Sequence, residues 1–118
     1  MGVPDAQFSR VPPEKLLNYL LDEGHAVGGS KAEWFTSLGY SLHHPRRLAE
    51  DLLRVVREAT EYDTHPSAFG VKYVVVGRIT TPCGREVSVL TVWIRTVKER
   101  GPRLVTARPA KERYDEGA

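Results

Sequence analysis

Apolar positions recur every three to four residues through the first half of the chain and every two residues through much of the second. Three helical segments come first. Pro12-Pro13 opens a run in which Leu16, Leu17, Leu20 and Leu21 form a stripe at helical spacing, and Gly24 ends it. Proline suits a first helical turn, where its missing N–H has no partner to lose. The second helix starts at Ser30 with Glu33 three residues on, the pattern of a capping box. Trp34, Phe35 and Leu38 give it a bulky apolar face, and Gly39 stops it. The third begins at Pro45 and gathers Leu48, Leu52, Val55, Val56 and Ala59 on one side, with most of its charges elsewhere.

At Phe69 the period becomes two. Val71, Tyr73, Val75 and Ile79 alternate with Lys72, Val74, Val76 and Arg78, which predicts a strand over 69–80. Thr81-Pro82-Cys83-Gly84 is a turn, with Pro82 at its second position and Gly84 free to take positive φ. A second strand follows over 85–96. Val87, Val89, Thr91 and Trp93 face one way, while Ser88, Leu90, Val92 and Ile94 face the other. Both faces are apolar near the centre, so this strand belongs inside the sheet. After the loop at 98–102, Arg103 to Arg108 reads as a third strand stopped by Pro109. A fourth, from Glu61 to Thr64, has little pattern behind it. Short connections favour an antiparallel meander. The expected fold is therefore α+β: three N-terminal helices packed on one antiparallel sheet of three to four strands. Residues 1–11 are expected to be an extension, 12–109 the domain, and 110–118 a flexible tail.

Composition narrows the class. The 118 residues are 41% hydrophobic and 27% charged, which suits one domain with a real core. No apolar run approaches the roughly 18 residues of a membrane span, and Met1-Gly2-Val3-Pro4-Asp5 lacks the start of a secretory signal. The lone Cys83 excludes an internal disulfide and a cysteine-built zinc site. A small cytoplasmic domain, with no membrane partner, is the expectation. Charge is uneven: residues 1–69 carry 7 Lys and Arg against 10 Asp and Glu, residues 70–118 carry 10 against 5. A basic second half suits a polyanion, or simply complements the acidic first half.

Candidate chemistry centres on His25-Ala26-Val27-Gly28-Gly29-Ser30-Lys31. Gly28 and Gly29 let a backbone approach a ligand, and they lead into a helix N-terminus that favours an anion. Lys31 in that first turn opposes the helix dipole, a conflict that a bound phosphate at Gly28, Gly29 and Ser30 would relieve. The plainer reading is a tight connection with a solvated lysine. His25 belongs to the residue type that exchanges protons near neutral pH. On the last strand Thr106 and Arg108 stand two apart, so they share a face and can hold a phosphate together. Arg78 and Arg85 add to the basic set, whose ordinary role is to blunt sheet edges. His43-His44 fits capping of the third helix. A metal site from His43, His44, Asp63 and His65 needs distant segments to meet, and neither metal nor cofactor is expected. Trp93, in mid-strand, reads as core, and Cys83 as an exposed thiol.

The segment from His25 to Gly39 resembles the His-Pro-x-Gly-x-x-Lys-Ala-x-Phe-Phe…Leu-Gly signature of an uncharacterised bacterial domain family, found alone and in polymorphic toxins. Thr91-Val-Trp-Ile94 and Arg103-Leu-Val-Thr-Ala-Arg-Pro109 resemble its Val-Trp and Arg-Leu-Val-Thr-Ala-Tyr-Pro pieces, and the Gly77…Pro82-x-Gly84-Arg85 turn fits as well. The likeness spans residues 12–109. Ala26 replaces the family proline, Trp34 a phenylalanine and Arg108 the usual tyrosine, so no role of that tyrosine carries over. More remotely, the chain is similar to the barnase–EndoU–colicin–RelE group of metal-independent ribonucleases. That likeness implies a toxin-like endoribonuclease acting on structured RNA such as tRNA. His25 is then the general acid or base, Lys31 the charge stabiliser and Thr106 a phosphate contact, with Arg78 and Arg108 holding the RNA backbone. The implied protein partner is a cognate antitoxin or immunity protein. The alternative is a non-catalytic protein- or nucleic-acid-binding module of a toxin-related system. Convergence of His25, Lys31 and Thr106 on one cleft separates the two.

Overall fold

The computed structural model describes residues 2–16 and 29–110, with only the backbone described at 29–31. Helices α1 (Pro13–Lys15), α2 (Gly29–Ser37) and α3 (Pro45–Glu58) precede strands β1 (Asp63–Ser67), β2 (Gly70–Thr80), β3 (Glu86–Arg95) and β4 (Arg103–Pro109). The sheet runs β1-β2-β3-β4, antiparallel throughout. This is the expected α+β meander with β3 inside it. The remainder of the leucine stripe after Leu16, Gly24, and the tail from Lys111 lie outside the described residues.

Each element follows from its sequence. Pro45 takes the first turn of α3, and Leu48, Leu52, Val55 and Val56 recur at helical spacing and are buried. Gly39, at φ 100°, turns the chain out of α2, while its N–H and that of Tyr40 satisfy carbonyls of the last turn. Gly84 takes φ 92° in the β2–β3 turn, which the Gly84 N–H closes on the Thr81 carbonyl. His44 occupies the N-cap position of α3, but its side chain makes no cap hydrogen bond. Instead the Ser41 hydroxyl accepts from the His43 N–H at 3.0 Å.

The core lies between α2, α3 and one face of the sheet. Phe35, Leu38, Leu48, Leu52, Val75, Val89, Trp93 and Leu104 are all fully buried. Each such side chain favours folding by roughly 1.5–3 kcal/mol relative to exposure. Trp93 satisfies its indole N–H on the Thr91 hydroxyl at 2.7 Å, and that hydroxyl donates to the Val75 carbonyl. The residues before Pro12 join this packing. Val3 and Ala6 are buried, and Arg10 bridges the start of β4. β1 is the strand with the weakest sequence signal. Its five residues are all exposed, so pairing with β2 rather than burial defines it. Pro109 does not stop β4 but ends inside it, tolerated because β4 is an edge strand.

Candidate functional site

Alternation gives the sheet two faces with different work. Tyr73, Val75 and Ile79 of β2 and Val89, Thr91 and Trp93 of β3 point at the helices and are buried. Their neighbours point the other way. In β4 simple alternation would put Leu104, Thr106 and Arg108 on one face. A β-bulge opposite Val92/Trp93 prevents that. Leu104 pairs with Trp93 on the core side, whereas Thr106 pairs with Val92 and Arg108 with Leu90 on the open side.

The face turned away from α2 and α3 therefore carries Thr106, Arg108 and Arg78, the last beside Ser88. Arg78 and Arg108 flank β3 on its two sides, opposite Ser88 and Leu90. Arg78 pairs with Glu86 at 3.3 Å, both side chains well exposed, so the contact is weak and exchangeable. Lys72 and His65 sit opposite each other where β1 meets β2 on the same face. Down the middle run Val74, Val76, Leu90, Val92 and Ile94, with Val76 half exposed. Among the described strand residues this face carries no Phe, Tyr or Trp.

The structure brings together three of the residues expected from the sequence, Thr106, Arg108 and Arg78. Gly29, Ser30 and Lys31 form the first turn of α2, which stands on the opposite side of the sheet from Thr106. His25 and Gly28 lie outside the described residues. His43 and His44 precede α3 while Asp63 and His65 lie on β1, and no three potential metal ligands gather among the described residues.

A polar cluster at the α2–α3 corner escaped sequence reasoning. The Tyr40 hydroxyl donates to Asp51 at 2.6 Å, the Arg47 guanidinium donates to the same carboxylate at 3.0 Å, and Arg54 approaches at 3.8 Å. Arg47 also reaches the Thr80 carbonyl at 2.9 Å, tying α3 to the end of β2. The signal was Asp51 itself, an acid among the apolar positions Leu48, Leu52 and Val55. Burial, then the Asp51 carboxylate, pushes the Tyr40 hydroxyl well above the ordinary tyrosine range. A cleft of about 240 Å³ beside it is lined by Gly39, Tyr40, Ser41, His44, Arg47 and Pro82. Nearby, Cys83 is exposed, and a hydrogen bond with the Thr81 hydroxyl at 3.3 Å holds its thiol below the ordinary value, with help from the backbone at Arg85.

The fold, a helix-backed antiparallel sheet with one open basic face, has a counterpart among solved structures. It is similar to a chain of a contact-dependent growth inhibition toxin–immunity protein complex from Klebsiella pneumoniae 342, with a TM-score of 0.68 and 14% identity, over 92% of this chain and 99% of that one. At that identity the likeness is one of fold. The chain belongs to the family described as Domain of unknown function (DUF6883), whose sequence profile matches residues 3–111. None of the curated proteins matches it. No described helix is long and apolar enough to cross a membrane.

Proposed function

We propose that this chain is a toxin-like, metal-independent endoribonuclease that acts on structured RNA such as tRNA. The reading is carried by the placement of Thr106, Arg108 and Arg78 on one sheet face that α2 and α3 leave open. A hydroxyl and two guanidiniums on a shared surface suit consecutive phosphates. The basic second half of the chain supplies salt-sensitive affinity for a polyanion. Likeness of fold to a chain of a toxin–immunity complex supports a toxin-related system, and with it a cognate immunity protein as partner.

Cleavage without a metal needs a base to take the 2′-hydroxyl proton and an acid to protonate the leaving 5′-oxygen. The 2′-oxygen attacks phosphorus, the P–O5′ bond breaks, and a 2′,3′-cyclic phosphate and a 5′-hydroxyl result. His25 serves as base or acid, and Lys31 stabilises charge on the phosphorane. On the open face, across the sheet from the first turn of α2, Thr106 hydrogen-bonds a flanking phosphate and Arg78 and Arg108 fix the backbone, while Gly28, Gly29 and Ser30 offer N–H groups to a separate phosphate at the helix start.

The test is incubation with total tRNA in EDTA, beside His25→Ala. Discrete fragments ending in cyclic phosphate, lost in the variant, are expected. Full activity in His25→Ala sinks this mechanism, and silence in both samples favours a non-catalytic binding module.

A further inference from the structure

Trp34 stands apart from the rest of the apolar face of α2. Phe35 and Leu38 are fully buried, while Trp34 is packed against the core yet remains partly exposed. Its ring is braced edge-on by Phe35, with centroids 4.9 Å apart. It borders a cleft of about 350 Å³ at the end of the sheet, where Arg78, Arg85, Glu86, Ser88 and Pro109 form the other walls. The cleft is polar, and two guanidiniums line it. Among the described residues, Arg78 is paired with the exposed Glu86, a contact that yields readily to a stronger anion. Arg85 is exposed on the β2–β3 turn.

An anchored aromatic edge beside two arginines and a hydroxyl is the chemistry of a nucleotide: base on the ring, phosphate in the guanidiniums. We propose that this cleft is a nucleotide subsite, with a base lying on Trp34 and its phosphate held between Arg78 and Arg85. The ligand class rests on the RNA reading above; the binding itself does not depend on cleavage. Arg78 belongs both to this cleft and to the open face with Thr106 and Arg108. An RNA strand crossing that face thus meets its one available tryptophan at the cleft, among the described residues.

The test is titration of the full chain with 5′-GMP, followed by tryptophan emission and calorimetry. Trp93 is sealed in the core, so quenching reports Trp34. Saturable quenching is expected, with ribose 5-phosphate binding roughly tenfold more weakly or worse for want of a base to stack. Arg85→Ala, on an exposed turn, should weaken 5′-GMP binding by about tenfold with an unchanged thermal melt. Trp34→Leu should erase the preference for 5′-GMP over ribose 5-phosphate in calorimetry. Absence of saturable 5′-GMP binding, equal binding of the two ligands, or unchanged binding in Arg85→Ala overturns the subsite. Cleavage of tRNA by protein that does not bind 5′-GMP removes the subsite and leaves the endoribonuclease; binding without cleavage does the opposite.

Discussion

Tyr40 and Asp51 are joined by a 2.6 Å hydrogen bond in a part of the molecule where both are almost fully buried. Asp51 is a charge in the interior, held there by two hydrogen-bond donors, Tyr40 and Arg47, and by the Arg54 guanidinium at 3.8 Å. Removing one leaves a buried acceptor short of a partner. Tyr40→Phe keeps the ring and its edge contact with Phe35 but deletes the donor. It is expected to lower stability by about 1–3 kcal/mol in urea denaturation. A loss below about 0.3 kcal/mol would mean that Arg47 and Arg54 already satisfy Asp51.

The same pair sets a response to alkali. The fold holds Tyr40 protonated, with its pKa raised by burial and by Asp51. In the unfolded chain a tyrosine ionises near pH ~10. Folding is then fully supported by this hydroxyl below that pH, and the support is lost as pH climbs above it. The melting temperature of the parent chain should fall more steeply above pH ~10 than that of Tyr40→Phe. Parallel curves would show that Tyr40 does not contribute.

Cys83 should be more reactive than an ordinary surface thiol. Its thiolate is favoured by the Thr81 hydroxyl and by the backbone and charge at Arg85. Labelling by a disulfide reagent at neutral pH is expected to outpace that of a free cysteine peptide, and Thr81→Val should slow it severalfold. Equal rates in the two proteins would remove Thr81 from the account.

Arg108 offers a direct reading of the open face. If it holds an RNA phosphate, Arg108→Ala should weaken tRNA binding across sequences and reduce the slope of log affinity against log salt by about one. The fold should tolerate the change, because Arg108 is exposed on an edge strand. An unchanged salt slope would take Arg108 out of the interface.

The sheet was largely legible because β2 and β3 alternate over ten residues each way and the turn at Pro82–Gly84 separates them cleanly. β1 was barely legible: Asp63-Thr-His-Pro-Ser67 has neither β-branched density nor a buried face, and β2 imposes its strand conformation. On the site, Thr106 and Arg108 could be read as face-sharing because they are two apart in one strand. The Trp34 cleft could not, since its walls come from α2, the β2–β3 turn and the end of β4. Spacing carries no information about residues that meet only through tertiary packing. The Tyr40–Asp51–Arg47 cluster was half visible, in the misplaced acid of α3, but its tyrosine partner lies outside the helix.

The bulge at Val105 means that β4 is written in two phases. Leu104 and Ala107 answer to the interior, Thr106 and Arg108 to the exterior, and setting Val105 out of register keeps both assignments true at once. Removing Val105 alone restores regular alternation with those assignments intact, because Thr106 then follows Leu104 directly. Forcing Val105 into register has the opposite effect: either Leu104 turns outward or Thr106 and Arg108 turn toward the helices. What keeps these side chains facing outward is thus a local backbone irregularity, and the surface of this segment depends on the strand staying out of register at Val105.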